Sequence, residues 1–146
     1  MKKQLFVLLA FVLLAVTGCK TYTIPLDSFK QQFDGMDSTQ LMNVSVHTPF
    51  GNVIHYQANP LPYIQCVDNK GQAFELKNSP SIETRFTYGP NGNRVVFYFD
   101  RIFVSDSTVT GVMSRILPAI RKTIPLNSVT KIEVQDGKKR YFYVKP

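Results

Sequence analysis

Val44-Ser45-Val46-His47-Thr48-Pro49-Phe50-Gly51-Asn52-Val53-Ile54-His55-Tyr56 is two alternating runs joined by one turn. Apolar residues return at every second position, the period of a half-buried strand. Pro49-Phe50-Gly51 suits a three-residue hairpin loop, a type I turn followed by a glycine in the left-handed region. With Thr48 facing Asn52, Val46 faces Ile54 and Val44 faces Tyr56. The apolar residues then share one face, and Ser45, His47 and His55 share the other. A slip of one residue would mix the two faces, so turn chemistry and side-chain pattern fix the same register.

The same logic extends outward in both directions. Around Asn69-Lys70-Gly71, Asp68 facing Gln72 sets Cys66 opposite Phe74 and Ile64 opposite Leu76. Pro90-Asn91-Gly92 suits a third loop of the same kind. Ile82–Tyr88 alternates and reads as half-buried. Arg94–Val104 is apolar on both faces apart from Asp100-Arg101, which predicts a central strand covered on both sides. Ser105-Asp106-Ser107 turns the chain into Thr108–Val112. Pro118 argues against a long helix in Met113–Lys122, leaving a loop or short helix. Asp136-Gly137 is a strong two-residue hairpin signal. It would set Gln135 opposite Lys138, Glu133 opposite Arg140 and Ile132 opposite Tyr141. Before all of this, Asp27–Gly35 carries a short helix, with Ser28 and Gln31 spaced as a capping box and Leu26, Phe29 and Phe33 on one side. The expected fold is all-β, an antiparallel two-layer sandwich or roll of about ten short strands with one short N-terminal helix.

The chain starts differently. Met1-Lys2-Lys3-Gln4 is followed by twelve apolar residues, Leu5 to Val16, then Thr17-Gly18-Cys19. Basic start, short apolar core and small residues are the parts of a secretory signal. The run is too short for a bilayer, which takes about 20 apolar residues. An ordinary signal peptide with an incidental cysteine is one reading. The other is that Val16-Thr17-Gly18-Cys19 resembles the lipobox of bacterial lipoproteins. That resemblance covers about the first twenty residues. It implies cleavage before Cys19, acylation of its sulfur and new N-terminus, and attachment to a membrane. Lys20 stands where lipoproteins kept in the inner membrane often carry aspartate. No acidic residue follows Cys19 through Ile24. Both features imply the periplasmic face of the outer membrane. The expected organisation is a lipoprotein signal peptide at 1–18, a lipidated tether at 19–26 and a single β-rich domain at 27–146.

Charge is concentrated late in the sequence. Residues 20–108 hold seven basic and eight acidic residues. Residues 109–146 hold eight basic and two acidic ones, so the excess lies wholly in the last third. Arg115, Arg121, Lys122, Lys138, Lys139 and Arg140 are therefore the candidate ligand-binding residues, for an anionic lipid, an acidic glycan or an acidic protein face. Nucleic acid is not an expected partner outside the cytoplasm. A solvated basic face that only aids solubility is the plainer alternative.

Nothing points to catalysis. The sequence has no Gly-x-Ser-x-Gly, no His-Glu-x-x-His and no phosphate-cradling glycine loop. His47 and His55 share a hairpin face, but zinc needs three or four ligands and Cys66 faces the expected core. No catalytic residue, metal or cofactor is assigned. Asp100-Arg101 fits a structural ion pair, a bulge, or the perturbed carboxylate of a functional site. These residues leave three readings: a non-catalytic binding or assembly module, a small envelope enzyme using Asp100, His47 and His55, or a structural subunit of an envelope complex. The last predicts an exposed apolar patch or an unpaired strand edge.

Overall fold

The computed structural model describes residues 19–145, so the signal-peptide reading of 1–18 lies outside the described residues. The fold is all-β and antiparallel. Its main sheet has six strands: β1 (Thr21–Thr23), β4 (Tyr63–Val67), β5 (Ala73–Lys77), β6 (Ile82–Tyr88), β7 (Asn93–Tyr98) and β11 (Val129–Asp136), ordered β5-β4-β1-β11-β6-β7. A second sheet joins β8 (Ile102–Val104), β9 (Thr108–Val112) and β10 (Arg121–Pro125), with β9 central. The third sheet places β2 (Met42–His47) between β3 (Val53–Ala58) and β12 (Phe142–Tyr143).

Helix α1, Leu26–Phe33, covers the main sheet. Phe29 meets the Phe86 ring edge-on at 5.5 Å, and Phe33 lies 5.7 Å from Phe99. The Gln32 amide both donates to the Gln65 carbonyl and accepts from its N–H, so it stands beside β4 like a strand residue. The core combines α1 with Ile132, Val134, Phe86 and Phe97 of the main sheet and Ile102, Val109 and Ile124 of the second. Gly111 is needed where the sheets meet: a Cβ there would lie 2.1 Å from Cγ of Phe97.

The two leading hairpins have the expected registers. Val46 pairs with Ile54, Val44 with Tyr56, Cys66 with Phe74 and Ile64 with Leu76. Gly51 and Gly71 hold φ of 85° and 77°, the left-handed region where a Cβ is penalised.

Other expectations are corrected. Residues 20–26 are not a tether: β1 sits between β4 and β11, and Ile24 is buried. Ser28 does not cap α1. Pro25 occupies the cap position, and the Ser28 hydroxyl takes a bond from Gln32. The third hairpin closes a residue earlier, with Tyr88 paired to Asn93 across a four-residue loop, because Gly89 also takes positive φ. The run 94–104 is not one central strand. β7 is the edge of the main sheet, and a 3-10 turn at Phe99–Arg101 carries the chain into the second sheet. Met113–Ile120 is a loop, whereas Arg121 and Lys122 begin β10. The Asp136-Gly137 hairpin does not form. β11 already has β1 and β6 on its two edges, so β12 pairs instead with β2, Phe142 opposite His47.

Candidate functional site

The turn Phe99–Arg101 lies where the three sheets meet. Phe99 is drawn into the core, which carries Asp100 and Arg101 inward with it. Asn59 fixes the turn from β3's end: its N–H donates to the Asp100 carbonyl at 2.8 Å, and its amide donates to the Phe99 carbonyl at 2.6 Å. Asp100 is 1% exposed. Its Oδ2 accepts from the Tyr56 hydroxyl at 2.5 Å and the Tyr143 hydroxyl at 2.9 Å. Its Oδ1 is buried and has no hydrogen-bond partner among the described residues.

Burial pushes the Asp100 carboxyl above its ordinary value, against the two hydroxyl bonds and the charges of Arg101 and Arg115. Tyr56 and Tyr143 are also raised, first by burial and then by the Asp100 charge. Oδ2 is committed to two hydroxyls that themselves resist losing their protons. The space around it, bounded by Val46, Tyr98, Arg115 and Tyr141, is too tight for a water molecule. Nothing can diffuse to this carboxylate without opening the joint between sheets.

Both arginines serve the same joint. The Arg101 guanidinium lies 3.5 Å from the centre of the Tyr56 ring and donates to the carbonyls of Ser114 and Arg115 at 3.3 Å each. Arg115 stacks between Tyr98 (3.8 Å) and Tyr141 (4.7 Å), and Nη2 reaches Glu83 at 3.7 Å. Glu83 also receives Lys139 at 2.7 Å. Burial alone would raise Glu83. The bond and charge of Lys139, the bond from Gln135 and the charge of Arg115 outweigh it and hold the carboxyl below its ordinary value.

The six basic candidates do not form one face. Arg115 is 7% exposed and internal, so it is corrected from a surface ligand-binding residue to a joint residue. Lys138, Lys139 and Arg140 are exposed together after β11. Lys122 lies over the Tyr88 ring at 5.3 Å. Arg121 stands apart from these. It lines a cleft of about 330 Å³ with His55, Arg101, Tyr56 and Phe103, between the second and third sheets. The cleft lining includes no acidic residue. His55 is oriented by Ser45, whose hydroxyl lies 2.8 Å from Nδ1.

His47 is elsewhere, between Phe142 and Val53 across the third sheet, so the histidines do not converge with Asp100. Among the described residues no group of His, Cys, Asp and Glu is placed to hold a metal ion. Cys66 is buried and donates to the Phe74 carbonyl, and burial pushes its thiol up to about 11. Cys19 is exposed at the start of β1.

A larger apolar groove, about 460 Å³, runs along β8 under Phe33, Met36 and Leu41, with Asp37 and Asp106 on its rim. Sequence reasoning gave no signal for it, since its walls come from four separate stretches. Tyr56 and Tyr143 were also missed. Only a buried Asp100 calls for two hydroxyl donors, and its burial is a tertiary fact. No family model matches the chain, and no curated protein or solved structure matches it either.

Proposed function

We propose that this chain is a lipoprotein, acylated on Cys19 after removal of residues 1–18, and held at the periplasmic face of an outer membrane as a non-catalytic binding or assembly module. The observation that carries the reading is the position of β1. The strand begins two residues after the exposed Cys19 and is hydrogen-bonded on both edges. A lipid on Cys19 would therefore hold a rigid sheet against the bilayer rather than let a domain drift on a leash. Two acyl chains already give a stable anchor. No helix among the described residues is long and apolar enough to cross a membrane.

The ligand is an anionic envelope component: Arg121 and His55 offer charge and hydrogen bonding in an acid-free cleft, backed by Arg101. The sealed Asp100 supports a non-catalytic role, because its Oδ2 is occupied by Tyr56 and Tyr143 and the group has no space for substrate. The testing experiment is fatty-acid labelling of cells that express Cys19→Ala. Label is expected to vanish and full-length precursor to accumulate. Label that survives refutes the anchor.

A second reading, a subunit of an envelope complex, is favoured by the exposed row Phe142, His47 and Val53 across the third sheet. Crosslinked co-purification decides it. One partner in near-equal amount, lost with Phe142→Ser, would make the chain a subunit.

A further inference from the structure

The loop Ser114–Ile120 is apolar, exposed and internally bonded. Ile116 is 61% exposed, Leu117 55% and Ile120 44%. Such residues on a loose loop would be unremarked, but here the backbone is nearly closed on itself. The Ser114 hydroxyl accepts from the N–H groups of Ile116 and Leu117. Ile120 N–H donates to the Leu117 carbonyl and Met113 N–H to the Ile120 carbonyl. Arg121 donates to the carbonyls of Ala119 and Pro118, through its N–H and its Nε. Arg101 takes the carbonyls of Ser114 and Arg115. Pro118 has no N–H to satisfy. Across the exposed tip, residues 116–120, the Ala119 N–H and the Ile116 carbonyl lack a partner among the described residues; at the root, the Ser114 and Arg115 N–H groups lack one as well.

That combination has a physical consequence. Moving backbone groups out of water is costly unless they are already hydrogen-bonded. A knuckle with most of its tip backbone already bonded, and with Ile, Leu and Ile as its side chains, loses less than an open loop and gains apolar burial when it enters an apolar medium.

Its position and charge select the medium. Thr21, Gln135, Glu83 and Tyr98 lie side by side across β1, β11, β6 and β7. Arg115, at the root of the knuckle, touches both Glu83 and Tyr98. Lys139 reaches the same Glu83. The knuckle and the Lys138-Lys139-Arg140 stretch therefore both rise from the end of the sheet at which the chain enters from Cys19. Arg121 flanks the knuckle directly and is exposed, whereas the Lys122 ammonium turns away to the Tyr88 ring. Apolar side chains ringed by cations match the interface of an anionic bilayer.

We infer that Ile116, Leu117 and Ile120 dip into the membrane that Cys19 anchors to, with Arg121 and the 138–140 stretch on anionic head groups. The inference rests on the lipoprotein reading. It adds a second attachment point and so fixes which end of the domain faces the lipid.

The chain contains no tryptophan, so one introduced indole reports alone. Full-length, lipidated Leu117→Trp is reconstituted in vesicles of phosphatidylglycerol and phosphatidylcholine with brominated acyl chains. Its emission is expected to shift to the blue and to be quenched by bromine. Asn91→Trp lies in the β6–β7 loop, beyond the Tyr88–Asn93 pair that is five residues along the strands from the Thr21 row, about 17 Å away at the usual rise. It is expected to remain unshifted and unquenched. Flotation with the vesicles reads the anchor separately. Protein that floats while Leu117→Trp stays unquenched overturns the docking and leaves the anchor standing. Equal quenching at both sites also overturns it, because the domain would then have no preferred end. Mature protein from the expressing cells that carries no acyl chain on Cys19 and does not float overturns the anchor, and the docking with it.

Discussion

Phe86, in the middle of the main sheet, and Asp100, at the joint of the three sheets, are equally sealed from solvent. Phe86 has rings on two sides, Phe29 and Phe97, each at 5.5 Å. Burying such a side chain is favourable by about 1.5–3 kcal/mol, in almost any orientation that fills the space. Asp100 has two hydroxyls, a turn held by Asn59, and two guanidinium groups nearby. Burying a carboxylate costs several kcal/mol, offset only when its partners stand in the right places. The core is thus specified by volume and the joint by direction. A region of the first kind tolerates repacking, whereas one of the second kind fails as a unit. The joint also carries the knuckle and the Tyr143 strand, so the proposed membrane end inherits its rigidity from the polar region and not from the core.

The largest effects test that contrast at its two centres. Phe86→Ala and Asp100→Ala should each destabilise the domain by about 3–5 kcal/mol in denaturant unfolding, the first through a cavity and the second through stranded partners. Their couplings should differ. Adding Tyr143→Phe to Asp100→Ala should cost far less than Tyr143→Phe alone, while adding it to Phe86→Ala should be additive within about 0.5 kcal/mol. Equal cost in both backgrounds would mean that the joint is not a unit. Gly111→Ala sharpens the comparison from the other side, since here the core too is specified by direction. The new methyl would strike the Phe97 ring. A loss of about 1–3 kcal/mol is expected, partly restored by Phe97→Leu. An unchanged melting temperature would show that the second sheet slides freely over the first.

The smallest effect sits at the rim of the joint. Glu83→Gln should cost about 0.5–1 kcal/mol at neutral pH, because Lys139 is half-exposed and water screens the pair. Glu83 is held below its ordinary value in the folded chain. Its contribution is therefore full above the ordinary glutamate range and is lost as pH falls through the lowered folded value. Midpoints measured for both proteins should converge in acid. A gap that stays constant from neutral to acid pH would place the stabilisation elsewhere.

Local chemistry was legible where two independent signals agreed. In 44–56 and 64–76, glycine at the turn and apolar residues on one face demanded a single register, and the strands pair in that register. Asp136-Gly137 carried an equally strong turn signal without a hairpin, since the edges of β11 belong to strands more than forty residues away or at the far start of the domain. Arg94–Val104 was read as one strand covered on both faces, but Arg94 and Val96 of β7 are exposed, only residues 99–102 are buried at every position, and two sheets share the run. Of the site residues, Arg121 and His55 were each singled out from sequence. Their meeting in one cleft was not legible, because it depends on how the second and third sheets stack. Arg115 was counted with the surface cations for the same reason: charge composition records sign and not depth.

The sequence by itself determined the all-β class, the two central hairpins, the aromatic face of α1 and the inert setting of Cys66. Each follows from residues a few positions apart, where periodicity and turn stereochemistry leave one choice. Only the tertiary structure decided that β1 enters the sheet directly after Cys19, that the C-terminal cations divide among a joint, a cleft and a rim, and that Asp100 is sealed under two tyrosines. Those outcomes depend on which strand edges remain open once the sheets form. That is a contest among distant segments, and local spacing does not encode it.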